Sequence, residues 1–278
     1  MKTFFNATLR GLGQIMFQDN WLSGLLFVIA IALHSVTMAG AALLGSGIGT
    51  LWAKICRYTA TDMQQGLYGF NSALVAIAVS FFYHQSAYQF VLLLLGCVFS
   101  TWLMHAMLQR KLSAYTFPFV FTTWIIFALV PQQVMQLDTV YIGTNDLLNA
   151  TLQGFAEVMF QSNSWTGLIF ILAILVNNRS HALWSTLAAA FTVLCAQLLS
   201  WSSAETLAGL YSYNAVLTAI AILGISSHKW LVMAGVVLSL VLTKIMFVLG
   251  LAALTFPFIL ATWIFAYGHK HWPRGSTK

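Results

Sequence analysis

The chain has 278 residues, of which 60% are hydrophobic and 6% charged, and its mean hydropathy is +0.84. Soluble globular proteins are charged at roughly a quarter of their positions, so this composition excludes them and points to a lipid bilayer. The net charge of +6 does not indicate a nucleic-acid partner, because the Lys and Arg residues sit at the ends of apolar segments, as solvated anchors do.

Taken in chain order, apolar segments are predicted at roughly 22–34, 38–54, 67–83, 87–108 and 113–130, then at 165–176, 181–199, 209–226, 230–249 and 253–268. The first of each set falls short of the roughly 20 residues that a spanning helix needs. The stretches 11–19 and 154–162 precede these first spans and are too short to cross. They read as half-helices that dip into the bilayer and turn back, which is tolerated only where protein or a water-filled cavity surrounds them. Asn20 and Asn163 fit N-caps of the helices that follow. Between the two sets, residues 131–150 hold Asp138 and Asp146 and no Lys or Arg, which divides the chain into 1–135, a linker at 136–150, and 151–278. Cys56, Cys97 and Cys195 read as small core residues, since three cannot close a disulfide framework. The residues before Arg10 do not suggest a cleavable signal peptide.

The two sets are copies. Residues 11–31 return at 154–174 with ten of twenty-one positions identical, and 66–79 return at 209–222 with eight of fourteen identical, both at an offset of 143. A third block, 113–127, matches 252–266 at an offset of 139. With the N-terminus placed in the cytoplasm and sides alternating at each span, eleven of the twelve basic residues fall inside, and only Lys244 dissents. Both termini are then cytoplasmic, and the membrane is the plasma (inner) membrane. Five spans per copy force the second copy to enter from the opposite side. The expected fold class is therefore an all-α integral membrane protein, with ten transmembrane helices plus two re-entrant half-helices in two inverted repeats.

The half-helices carry polar residues at the same position of the repeat, Gln14 and Glu157. An acid at membrane depth costs roughly 2.5–3.5 kcal/mol on insertion scales, so Glu157 reads as functional by default. Its bland alternative is a protonated carboxyl satisfied by backbone carbonyls. Phe17 and Phe160, and Phe70 and Tyr213, are also repeat pairs, in a chain where a single aromatic is more often core than ligand. Thr116 and Thr255 precede Phe-Pro-Phe triplets whose prolines free nearby carbonyls; their hydroxyls serve a pathway or bond back to their own helices. Asn71 and Asn214 read as hydrogen-bonding glue between helices. No phosphate-binding loop, metal-ligand cluster or nucleophile with its base is visible, so no enzyme activity and no cofactor are expected. Apart from Glu157 and Lys244 the spans lack charge, so there is no ladder of acids for ion coupling. A small, neutral, polar solute fits these residues best.

The QIMFQDN and EVMFQSN blocks, the GLYGFN and GLYSYN blocks and the paired TFPF motifs together resemble the urea transporter family over essentially the whole chain. The resemblance implies a homotrimer with one pore per protomer, between two inverted halves, and channel-like passive transport of urea. It also implies an outer site of Gln14, Phe17 and Phe70 and an inner site of Glu157, Phe160 and Tyr213. Ile15, Leu74, Val158 and Leu217 would narrow the slot, and Thr116 and Thr255 would sit at its centre. Urea chemistry agrees, since a flat molecule with four N–H donors and one carbonyl calls for aromatic faces and oxygen-lined edges.

This chain departs from the family pattern twice. The usual Leu-Pro is Leu112-Ser113 in one half and Leu251-Ala252 in the other. Tyr213 stands where phenylalanine is usual, and its hydroxyl either bonds the solute or narrows the slot without stopping urea. The competing readings are an ion-coupled transporter for a small amide or amine that uses Glu157, and a structural membrane subunit.

Overall fold

In a computed structural model, the described residues, 2–133, 139–226 and 228–271, form fourteen helices and no β-sheet. Asp138, the expected boundary at 135, and the tail cations Arg274 and Lys278 lie outside the described residues. The first seven helices are α1 Lys2–Gln14, α2 Trp21–His34, α3 Val36–Ile55, α4 Ala60–Gln64, α5 Phe70–Phe82, α6 Ala87–Gln109 and α7 Phe117–Leu129. Seven more repeat their order: α8 Asp146–Glu157, α9 Ser164–Asn177, α10 Arg179–Leu198, α11 Ser203–Leu207, α12 Tyr213–Ile225, α13 Lys229–Val248 and α14 Phe256–His271.

Four of these, α3, α6, α10 and α13, are long and apolar enough to cross a membrane. Six more apolar helices are shorter, at 10–17 residues. Between 39% and 50% of each long apolar window is buried, so the remainder is an apolar exterior carrying residues such as Leu95, Leu187 and Val248. An exterior of that kind is stable against lipid and not against water. The chain is a multi-pass, all-α membrane protein.

Local chemistry fixes several boundaries. The Asn20 side chain accepts from Leu22 N and that of Asn163 from Trp165 N, so both act as the N-caps expected of them. The third and fifth apolar segments of each half become helical three or four residues later than hydropathy suggests. The reason is left-handed backbone in the preceding turns, at Gly66 and Gly209 (both φ 78°), Tyr115 (φ 46°) and Leu254 (φ 43°), which no helix accommodates. The expected half-helix stretches are the ends of α1 and α8 together with the turns after them; both helices begin well before residues 11 and 154. Asp146, assigned to the linker by its polarity, is already the first residue of α8, capped by the Asn145 side chain. Helices α4 and α11 escaped a hydropathy reading because five residues carry no periodic signal.

The two halves share one continuous core. Helices α2 and α9, equivalent in the repeat, run antiparallel against each other: Ser23 Oγ donates to Ala173 O (2.7 Å) and Thr166 Oγ1 to Ala30 O (3.1 Å). Between them the equivalent rings of Phe27 and Phe170 meet edge to face at 4.9 Å. Each of these helices also lies close to the one before it, with no room for a side chain. A Cβ on Gly24 would stand 1.8 Å from Leu9 O, and one on Gly167 1.9 Å from Leu152 O.

Lys244, the basic residue that breaks the charge rule, is held by neighbours. Its Nζ donates to Tyr211 Oη (3.2 Å) and lies 5.0 Å from the Trp201 ring centroid, and Tyr211 in turn donates to Glu205. The long apolar stem runs along α13 while the charge is taken up by aromatic faces and, through a hydroxyl, by a carboxylate.

Candidate functional site

Each half builds its candidate site on a turn that reverses the chain after α1 or α8. Phe17 N bonds to Gln14 O and Phe160 N to Glu157 O, both at 3.0 Å. Phe17 (φ 58°) and Phe160 (φ 57°) take the left-handed conformation that a bulky residue rarely adopts. Fully buried glutamines hold these turns. Gln18 Nε2 donates to Met16 O (2.5 Å) and Gln161 Nε2 to Met159 O (2.8 Å). Each also reaches into the other half, where Asn177 Nδ2 donates to Gln18 Oε1 (2.9 Å) and His34 Nδ1 lies 3.2 Å from Gln161 Oε1. The sequence carries a signal for this pair, since Phe-Gln-x-Asn occurs twice, though the motif does not by itself say that the glutamine closes a turn.

Equivalent residues then meet across the halves. Thr116 Oγ1 and Thr255 Oγ1 are 2.7 Å apart and buried. Their hydroxyls bond neither back to their own helices nor, for Thr116, to the N-terminus of α7, where Pro118 needs no acceptor. Asn71 and Asn214 are interhelix glue, as expected. Asn71 Nδ2 donates to Tyr115 O (3.2 Å) and its Oδ1 accepts from Phe119 N (3.0 Å). Asn214 does the same with Leu254 O and Phe258 N, both at 3.2 Å. The two departures from Leu-Pro are also tied down. Ser113 O accepts from Trp263 Nε1 (2.7 Å) and Ala252 O from Trp124 Nε1 (2.8 Å), each bond crossing from one half to the other.

A cavity of about 240 Å³ gathers Glu157, Val158, Phe160, Tyr213 and Thr255 with Phe82, Phe119, Phe127, Gln132, Leu210, Phe247 and Ala252–Leu254. Phe160 stands among Phe81 (centroids 5.4 Å apart), Phe82 (5.6 Å) and Phe119 (6.3 Å). The Glu157 carboxyl is half-buried and has no hydrogen-bond partner among the described residues. Tyr213 Oη donates to Leu254 O at 2.5 Å.

Gln14, Phe17 and Phe70 lie elsewhere. Gln14 Nε2 donates to Gln65 O (3.0 Å), just past the short helix that follows Arg57. Phe17 packs against Tyr115 (6.1 Å) and Phe258 (5.9 Å), and Tyr115 is four residues beyond Lys111. This group thus shares one end of the molecule with Lys54, Arg57, Arg110 and Lys111, while the Glu157 cavity reaches Gln132, just before the linker between the halves. Val158 lines the cavity; Ile15, Leu74 and Leu217 are buried outside its lining. The arrangement is therefore two aromatic and polar groups, one at each side of the Thr116–Thr255 contact.

A protein-family model described as "Urea transporter" matches residues 5–270. The chain is similar to Urea transporter 1 of sheep (Ovis aries) and of goat (Capra hircus), each 25% identical over 94% of this chain and 76% of the relative. Urea transporter 1 of mouse (Mus musculus) is 25% identical over 80% of this chain and 63% of its own length.

Proposed function

The chain belongs to the urea transporter family, and from that membership we propose that it carries urea across the membrane passively, through a path between its two halves. Members of the family are transporters, not enzymes. The observation that carries the reading is the pairing of two aromatic and polar groups about the Thr116–Thr255 contact, with a cavity already open at Glu157.

The path we propose runs between Gln14, Phe17 and Phe70 at one end and Glu157, Phe160 and Tyr213 at the other, with Thr116 and Thr255 midway. Aromatic rings take the flat faces of urea, and the oxygens of Gln14, Glu157 and the threonines accept its N–H groups. Ile15, Leu74, Val158 and Leu217 set the width. Each group binds weakly enough to release, which conduction through successive sites requires.

The halves, 1–135 and 151–278, are inverted repeats in this proposal, and ten helices span the membrane. The antiparallel pairing of the equivalent helices α2 and α9 supports the inversion. The positive-inside rule then makes the end bearing Lys54, Arg57, Arg110 and Lys111 cytoplasmic and the linker external. That orientation puts Gln14 at the inner mouth and Glu157 at the outer, the reverse of the labels that follow from motif resemblance. We further propose a homotrimer in the plasma membrane with one path per protomer.

Stopped-flow shrink–swell of proteoliposomes tests the function. Urea flux is expected without any proton or sodium gradient, and Glu157→Gln, whose amide keeps a carbonyl acceptor, should stay within about threefold of it. Flux that vanishes when a proton gradient is collapsed, and is lost in Glu157→Gln, overturns the passive reading in favour of ion coupling.

A further inference from the structure

We infer that solute selectivity is concentrated at the Gln14 end, because Tyr213 has disabled the equivalent acceptor at the Glu157 end; this rests on the path proposed above. The residues that matter are the two immediately before the central threonines, Tyr115 and Leu254. Both are left-handed, at φ 46° and 43°, and each carbonyl receives one donor from the asparagine of its own half at 3.2 Å. A carbonyl oxygen has two lone pairs. At Leu254 the second is taken by the Tyr213 hydroxyl at 2.5 Å. At Tyr115 the position equivalent to Tyr213 is Phe70, which has no hydroxyl, so among the described residues that carbonyl keeps one acceptor site free.

The neighbouring carbonyls do not differ in this way. Ser113 O and Ala252 O each accept a tryptophan N–H from the other half, and Ala114 O and Ala253 O accept from Phe117 N and Phe256 N, both at 3.0 Å. The one difference in the partners of these carbonyls is therefore the Tyr213 hydroxyl.

A fixed carbonyl with a free lone pair discriminates. Urea offers N–H donors on both of its nitrogens, whereas acetamide presents a methyl group on one side and leaves such a carbonyl unpaired and dry. Rejection of an analogue that lacks the donor is the strong direction of hydrogen-bond specificity. A carbonyl already saturated by Tyr213 does not impose that penalty. The Glu157 end instead presents a phenol oxygen whose proton is committed to Leu254, and it tolerates amides with fewer donors.

Because the two sites are in series, the selective one governs the ratio of urea to acetamide permeability. Phe70→Tyr places a hydroxyl opposite Tyr115 O and should lower the ratio about fivefold, the value of one net hydrogen bond. Tyr213→Phe adds a second selective site behind an existing one, so it should raise the ratio by no more than about twofold. The double variant Phe70→Tyr/Tyr213→Phe moves the selective carbonyl to the other end and should bring the ratio back to within about twofold of wild type. These ratios are measured on proteoliposomes by stopped-flow light scattering with urea and acetamide gradients. An unchanged ratio in Phe70→Tyr, or a double variant no more selective than Phe70→Tyr, overturns the inference. A wild-type protein that passes neither amide defeats the transport reading itself, which is a distinct result.

Discussion

At the Gln14 end the polar residue of the turn is an amide already tied to Gln65 O, whereas at the Glu157 end it is a carboxyl without a hydrogen-bond partner among the described residues. The backbone beneath them is the same. Phe17 and Phe160 differ by one degree in φ, and Gln18 and Gln161 close their turns with the same bond. What has diverged is the second tier of partners. Gln18 takes Asn177 and approaches His181 Nδ1 (3.3 Å), whereas Gln161 meets His34 and donates to Met38 Sδ (3.6 Å). Asn177 and His34 are equivalent positions, as are His181 and Met38. Duplication has thus kept the residues that dictate backbone and let the partners of the buried glutamines change.

The comparison breaks most severely if the two turns are not equally packed. Gly24→Ala and Gly167→Ala each drive a methyl group into a backbone oxygen, of Leu9 and Leu152 respectively, that cannot step aside. Each should cost about 3 kcal/mol or more, at the upper end for overpacking, and the two variants should lose a similar amount of thermal stability in detergent. A tolerant Gly167→Ala beside an unfolded Gly24→Ala would mean that the halves share a sequence pattern without sharing a load.

Much of this scaffold was legible beforehand, for physical reasons that vary by residue. Asn20 and Asn163 announce themselves as caps because their chemistry is local, a side-chain oxygen bonding an amide two residues on. Asn71 and Asn214 were readable as glue because an amide in an apolar helix must find a partner. The identity of those partners was not, since Tyr115 O and Leu254 O lie forty or more residues away in sequence and are exposed as acceptors by left-handed backbone. The meeting of Thr116 with Thr255 was hidden for a related reason: a contact between equivalent residues depends on where the halves touch, and periodicity says nothing of that. Gln14 and Glu157 stood out as a pair from the repeat, yet which end of the molecule each occupies came from Gln65 and Gln132, residues that carry no motif.

A sharper test of the two ends is their response to truncation. Gln14→Ala removes a bond to the Gln65 backbone, so both stability and urea flux should fall, the former by about 1 kcal/mol. Glu157→Ala removes a carboxyl that no described residue holds by a hydrogen bond, so flux should drop by about tenfold while the melting temperature stays put, because a solute contact is lost and no hydrogen bond of the fold is. Thermal unfolding and stopped-flow flux on the same preparations separate the two. A stability loss in Glu157→Ala equal to that of Gln14→Ala would show that the carboxyl is structural.

The smallest effect concerns a pair outside both turns. Lys244 aligns with His105 at the offset of 139, Trp201 with Tyr58 and Tyr211 with Tyr68 at 143. The two clusters are built alike, with His105 stacked on Tyr58 at 3.6 Å and 3.1 Å from Tyr68 Oη, and Lys244 over Trp201 and 3.2 Å from Tyr211 Oη. The imidazole stacks flat on its neighbouring ring, whereas the ammonium is held by the quadrupole of the rings beside it and by a hydroxyl that passes its charge on to Glu205. Lys244→Gln should therefore cost about 1 kcal/mol, from the loss of a partly buried cation–π contact, with urea flux unchanged because the side chain lies outside both solute groups. Lys244→His should recover most of that loss by restoring the stacked arrangement of the other half, which thermal unfolding of the three proteins resolves. If Lys244→His is no more stable than Lys244→Gln, the two clusters are alike in sequence position only, and the cation is there for a reason that the first half does not share.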